Sequence, residues 1–337
     1  MNDRSHRTAD APGDTRAAVD QLAEATLAAL RAPSVLNTQP WRWRLFGDTA
    51  ELLVDRDRQL PALDPDGRLL LLSCGIALNH ALTALRAGGY AGVVERLPDD
   101  RRPDLVARLH RGSRCAPDQR NYNAIYRRHT DRRPFADVLP PMADLDALRA
   151  AAVRHGVHLR VLTATELPSF ADIATVADVV EHADRSLAAD LKRWTTRTPE
   201  DQDGLPARTT TPPTERPVPA RTFNRAQPPR LATGPGTDRG TAYTVLLTDQ
   251  DEPRAWLAAG EALSDVWLTL TARGLAASPI SEVVEVASAR RALRNLLGED
   301  AYPAIGLRIG VPVDPADAPP SPARRSGTDV LGLPGQS

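Results

Sequence analysis

The chain has 337 residues, 42% hydrophobic and 25% charged, an ordinary globular balance with enough length for two core-sized units. Its 42 basic and 43 acidic side chains leave a formal charge of -1, so nothing in the charge favours nucleic acid or an anionic membrane. Lys192 is the sole lysine and no glycine run precedes it, which argues against a P-loop and against a pyridoxal phosphate Schiff base.

Residues 1–14 are polar, lack the apolar core of a signal peptide, and are expected to be a frayed arm. An amphipathic helix is expected over 15–32, stopped by Pro33, followed by strands at 43–46 and 51–54 around the turn Gly47-Asp48. The mostly apolar stretch 69–87 reads as a buried core helix, and its longest apolar run is too short for a membrane span. Helices at 143–155 and 166–194 and strands at 158–163, 242–248 and 304–310 follow from periodicity. Nine prolines between residues 199 and 235 break any period, leaving a linker or a lid somewhere in 195–240. Two cysteines, Cys74 and Cys115, and no Cys-x-x-Cys or histidine cluster suggest a reduced, cytoplasmic protein without a metal.

Sliding the chain against itself shows a repeat at an offset of 185: Gly75-Ile76-Ala77-Leu78 aligns with Gly260-Glu261-Ala262-Leu263, then Leu82 with Trp267, Leu85 with Leu270 and Gly89 with Gly274. Two buried helices ending in glycine can look alike through composition alone. Duplication instead predicts a monomer that is a fused pseudo-dimer, with halves at 15–120 and 121–330, long central helices packed together, and an asymmetric site between them.

Four places carry candidate chemistry. The loop after the first helix gathers Pro33, Ser34, Asn37, Thr38, Gln39, Pro40 and Trp41, and its amides offer a donor and an acceptor together, as the edge of a flavin or nucleobase requires. A helix C-cap and turn would use the same residue types. The run 127–135 holds four arginines with Thr130 among them, suited either to one phosphate group or to a solvated surface. Gly274 ends a helix before Ala277, Ser278, Pro279 and Ile280, small enough in part to let a planar ring approach the backbone. Strand 304–310 leads to a proline-rich tail bearing Arg324 and Arg325.

At these four places the sequence resembles the nitroreductase superfamily of FMN proteins, most closely its two-domain actinobacterial branch, the Acg family. Pro33-Ser34-x-x-Asn37-Thr38-Gln39-Pro40-Trp41 looks like the family's flavin-edge loop, and Arg128-His-Thr130-Asp-Arg132 like its Arg-x-Ser/Thr-x-Arg phosphate motif. Gly274-Leu275 to Ile280 looks like the segment lining the isoalloxazine, and Gly310-Val311-Pro312 with Arg324 and Arg325 like the terminal Gly-Tyr-Pro plus Arg element, with Val311 in place of Tyr. Leu36 stands where Acg-like sequences commonly carry His.

The resemblance implies an α+β fold of two related sandwich halves with one FMN between them. Arg128, Thr130, Arg132 and Arg325 would neutralise its phosphate. Ser34, Asn37 and Gln39 would bond the ring edge, and the backbone of Ala277, Ser278, Pro279 and Ile280 would face the ring. It further implies NAD(P)H as electron donor, a small nitroaromatic or quinone-like acceptor, and no obligatory catalytic side chain, since the cofactor carries the chemistry. An FMN-storage protein with an occluding lid is the alternative.

Overall fold

The computed structural model describes residues 12–298 and 300–332. Helix α1 (Pro12–Ala29) buries Ala18, Leu22, Ala25 and Ala29, one face at helical spacing, and it unwinds before Pro33. Residues 12–14, expected in the arm, thus open a helix, and residues 1–11 lie outside the described residues. Strands β1 (Trp41–Phe46) and β2 (Thr49–Val54) form a hairpin whose turn uses Gly47 at φ +52°. Helix α2 (Arg68–Ala87) is started by Asp64, whose carboxylate accepts from the backbone N–H groups of Leu69 and Leu70 at 3.1 and 2.8 Å. Strands β3 (Tyr90–Arg96) and β4 (Leu105–Arg114) complete the first half, and helix α3 (Gln119–Arg127) follows them.

The second half begins with α4 (Met142–Val153) and β5 (His158–Val161). The helix expected over 166–194 is two, α5 (Leu167–Ala183) and α6 (Arg185–Thr195). Asp184 leaves helical geometry between them and caps α6 by accepting from Ser186 and Leu187 N–H. Then come β6 (Ala242–Thr248), α7 (Pro253–Ala272), β7 (Ala276–Ile280), α8 (Glu282–Glu285), α9 (Ala287–Leu297), β8 (Tyr302–Gly310), α10 (Gly327–Val330) and β9 (Leu331–Gly332). Strands β3, β4 and β7 and helices α3 and α9 had no period-based forecast, because arginines, glycine and proline interrupt their apolar patterns.

The first sheet has strand order β3-β4-β2-β1-β9 and the second β5-β6-β8-β7, with every pair antiparallel except β1 with β9. Reading the second sheet backwards gives β7-β8-β6-β5, so both halves run helix, two strands, central helix, two strands in the same spatial order. The halves differ by insertions. A tight turn joins β1 to β2, whereas α5, α6 and the irregular segment 196–241 join β5 to β6. The C-terminal tail also crosses back: β9 pairs with β1 at Trp43 and Arg44, so the last described residues belong to the first sheet rather than to the half that precedes them.

The central helices meet as the repeat requires. A Cβ on Gly75 would lie 2.2 Å from the Leu257 carbonyl oxygen, and one on Gly260 would lie 2.0 Å from the Leu72 carbonyl oxygen. These two contacts exchange under the offset of 185, and Ser264 donates to Asn79 Oδ1 at 2.7 Å across the same offset. A residue touching its own equivalent marks a two-fold axis. Helix α2 is long and apolar enough to cross a membrane by length and composition, yet most of it is buried between the halves.

Candidate functional site

The segment after α1 departs from ordinary backbone geometry. Leu36, Asn37 and Gln39 have φ of 45°, 56° and 49°, left-handed values that cost a non-glycine residue on the order of 1–3 kcal/mol each. Surrounding groups hold it there. Ser34 Oγ accepts from Gln39 N–H at 2.8 Å, Asn37 carbonyl accepts from Gly204 N–H at 3.3 Å, and Arg58 Nη1 donates to the Thr38 carbonyl at 2.8 Å.

On the other side, α3 ends at Arg127 and the chain runs extended through Arg128 to Arg132 beside β7, with Thr130 bridging to Ala277 and Asp131 N–H donating to the Ala277 carbonyl. Strand β7 is the edge of its sheet, so beyond that bridge Ser278, Pro279 and Ile280 border open space. The tail then brings Arg324 over the first loop, where its Nη1 donates to Asn37 Oδ1 at 2.9 Å.

Two neighbouring cavities result. The smaller, about 80 Å³, is lined by Pro33, Ser34, Asn37, Arg128, Thr130 and Arg324, with Arg31 at its rim. The larger, about 240 Å³, is lined by Ser278, Pro279, Ile280, Glu282 and Arg308 and roofed by residues 205–229. Arg132 and Leu205 stand in the walls of both.

The electrostatics of the smaller cavity are unbalanced. Arg128 is 7% exposed, its Nε and Nη1 have no hydrogen-bond partner, and its guanidinium lies 4.7 Å from the centre of the Trp267 ring. Burial, with the charge of Arg324 second, brings its pKa down to about 9. Arg324 Nε is likewise buried without a partner, and burial followed by the charge of Arg31 lowers that guanidinium to about 10. Burial, then Arg308, lowers Arg132 to about 10 as well; it donates to the Thr209 carbonyl and stacks 5.0 Å over Phe223. No described carboxylate forms an ion pair with Arg128, Arg132 or Arg324. Three desolvated cations around a small void call for an anion with several acceptor oxygens.

The forecast site residues divide accordingly. Arg128, Thr130 and Arg324 gather in the small cavity, and Ser34 and Asn37 stand with them. The Asn37 amide is committed: Nδ2 donates to the carbonyls of Gly204 and Ala323 while Oδ1 accepts from Arg324. Gln39 lines neither cavity, because its Nε2 donates to the Gln202 carbonyl and its Oε1 accepts from Arg325 N–H. These amides tie the roof and the tail to the loop. Arg325 also points away, donating to the carbonyls of Gln39 and Trp41 and pairing with Asp55 at 3.4 Å. Arg132, grouped by sequence with the phosphate, reaches the cavity bordered by Ser278, Pro279 and Ile280, while Ala277 is buried behind it.

Several contributors carried no sequence signal. Arg216 and Arg221 of the irregular segment are sunk in the body, Arg216 on Asp238 at 3.5 Å and Arg221 on Glu181 and Glu285 at 2.9 and 2.6 Å. Asp203 is buried between Arg58 and Arg197. Among the described residues no cluster of His, Cys, Asp and Glu could hold a metal ion.

Known proteins sharpen the picture. A protein of Mycobacterium tuberculosis H37Rv assigned to the NAD(P)H nitroreductases is 39% identical over 310 residues, 88% of this chain and 87% of its own. A second from the same strain, named acg, is 32% identical over 337 residues, 94% and 97% of the two chains. Among solved structures, the FMN-dependent nitroreductase NfnB of Mycobacterium smegmatis in complex with NADPH matches with TM-score 0.40 and 16% identity over 63% of this chain and 96% of its own. An FMN-bound nitroreductase of Bacteroides fragilis matches with TM-score 0.38 and 13% identity over 62% and 96%. No family model matches the chain.

Proposed function

The chain belongs to the nitroreductase family, and from that premise we propose that it is an FMN-binding oxidoreductase that uses NAD(P)H to reduce a nitroaromatic, quinone or similar small acceptor by two electrons. The observation that carries this reading is Arg128, a buried guanidinium with two unpartnered nitrogens facing a void that Arg324 and Thr130 also line. Those residues fit a phosphomonoester: Arg128 and Arg324 supply charge and forked donors, and Thr130 a neutral hydroxyl. Arg132, standing between the cavities, suits the electron-rich end of the ring, and the free edge of β7 at Ser278, Pro279 and Ile280 suits its flat side. When bound, FMN supplies two-electron redox chemistry, accepting hydride from the nicotinamide. The protein's own tasks would be to hold it, cover it with residues 205–229, and place the positive charge of Arg132 beside it. One chain supplies both halves of this site, so one FMN per monomer is expected.

The visible spectrum of the purified protein, followed under anaerobic conditions with NADPH and NADH, tests this. A flavin band that bleaches with either nucleotide and returns with a quinone supports the oxidoreductase, and a protein that cannot be loaded with FMN ends the reading. A second reading, FMN storage, is favoured by one observation: Asn37 and Gln39 fasten Gly204 and Gln202 down over the loop. Deleting residues 199–232 separates the two. Turnover that emerges only in the deletion supports occlusion, and equal turnover in both forms removes storage.

A further inference from the structure

Four ionisable side chains meet at the wall of the larger cavity. Arg221, from the roof, is buried with its side chain 4% exposed, and it donates to both oxygens of Glu181 on α5 and both oxygens of Glu285 on α8, at 2.6 to 3.0 Å. Its Nη1 also donates to Ser281 Oγ at 3.2 Å. Glu282, one residue on, is 4% exposed, lines the cavity beside Ile280 and Arg132, and forms no ion pair among the described residues. Asp178 of α5 faces the group too, bonded to Thr222 N–H.

The charges do not balance. One guanidinium is saturated by two carboxylates, and the third, Glu282, stands in a low-dielectric wall with no ion pair among the described residues; Arg132, Arg216, Arg225 and Arg308 line the same cavity, Arg216 and Arg308 sharing Asp238. Like charges held this close cannot all ionise, so protons stay in the cluster, and of its raised carboxyls Glu282 is the one that lines the cavity. Burial pushes the Glu282 carboxyl up to about 7, against the pull of Arg221, and raises Glu181, clamped by Arg221, to about 9.

Resting on the oxidoreductase reading above, we propose that Glu282 is the proton donor of the larger cavity, delivering a proton to an oxygen of the acceptor reduced there. Reduction of a quinone to a hydroquinone takes two electrons and two protons. Hydride, originating from NAD(P)H, brings both electrons and one proton; the Glu282 O–H bond breaks to supply the second, and solvent returns it to the carboxylate. Residues 205–229 cover that wall, and a carboxyl built into it stands where the acceptor oxygen would acquire charge. A carboxyl titrating near neutrality is matched to that task, and a positioned acid contributes about 100-fold or more.

The experiment compares full-length wild type, Glu282→Gln and Glu282→Asp. Infrared titration between about pH 6 and 8.5 reads the carbonyl stretch of protonated carboxyls. A band lost as pH rises in wild type and missing in Glu282→Gln locates the proton, with or without FMN. Stopped-flow reoxidation of NADPH-reduced protein by a quinone then reads the chemistry. Wild type should slow about tenfold per pH unit above the titration, Glu282→Gln should be about 100-fold slower at pH 6.5 with that pH break gone, and Glu282→Asp should recover part of both. A Glu282→Gln protein with wild-type rate and pH break, or a band that does not titrate, overturns the proposal while leaving the oxidoreductase in place. A protein that takes up no FMN overturns the oxidoreductase reading and the acceptor step with it.

Discussion

Replacing Arg128 with methionine should stabilise the FMN-free protein while destroying its affinity for FMN. The side chain is 7% exposed, lacks a carboxylate partner, and keeps its positive charge with a pKa lowered to about 9. For a base, a folded pKa below the unfolded one means folding opposes the charged form. The penalty is present in full below pH 9 and fades only above it. At about 1.4 kcal/mol per pH unit it is on the order of 5 kcal/mol, of which contact with the Trp267 ring returns about 1–2. An unbranched apolar side chain of similar length removes the penalty and keeps the packing, so a net gain of about 2–4 kcal/mol is expected, or roughly 5 °C in Tm. Anion binding offers wild type the same relief: FMN or inorganic phosphate at a hundred times Kd should add about 2.7 kcal/mol to wild type and nothing to Arg128→Met. Differential scanning calorimetry of FMN-free protein in phosphate-free buffer, with each ligand then added, makes the comparison. An Arg128→Met protein that melts lower than wild type without ligand, or gains as much from FMN, would refute the argument.

At the helix crossing, Gly260→Ala places a methyl 2.0 Å from the Leu72 carbonyl oxygen, so the gain in helix propensity of about 1 kcal/mol should be outweighed and the urea midpoint should fall by a net 1–3 kcal/mol equivalent; a rise in midpoint would show that the crossing is loose. Asn37→Ala cuts the ties to Gly204, Ala323 and Arg324, and limited proteolysis should then cleave residues 199–235 at least several-fold faster, with unchanged rates contradicting the tethering role. The Glu282 carboxyl holds its proton up to about 7 when folded but releases it in the ordinary carboxylate range when unfolded. Folding therefore binds a proton between about pH 4.5 and 7, and stability should decline with rising pH there by up to about 1.4 kcal/mol per unit. Glu282→Gln should reduce that slope, to which Asp64 and Glu181, raised by burial to about 6 and about 9, also contribute, and an unaltered slope would assign the proton elsewhere.

How much could be read before folding varies from element to element. Helix α2 and strands β1, β2, β6 and β8 were legible because their burial follows from one face or one continuous apolar run. The repeat at 185 foretold that the central helices pack together, and the structure places Gly75 against Gly260 where they cross, since only glycine lets two backbones approach so closely. The arginine run 127–135 and the tail arginines marked where positive charge gathers, because guanidinium density is a property of composition.

What each polar group does was decided only by the tertiary structure. The amides of Asn37 and Gln39 suit a ligand in sequence, but folding brings Gly204, Gln202 and Arg325 against them, partners 163 to 286 residues away, and a satisfied amide has little left to offer a ring. Arg324 and Arg325 are neighbours in the chain yet face opposite ways, one into the void and one onto Asp55. The proline-rich segment has no period of its own and takes its shape from Arg216, buried on Asp238, and Arg221, buried on Glu181 and Glu285. Local pattern sets which side chains can be buried or charged. Which of them is left unpaired depends on long-range contacts with no local signature, and here those contacts leave Arg128 without a carboxylate and Glu282 without a cation of its own.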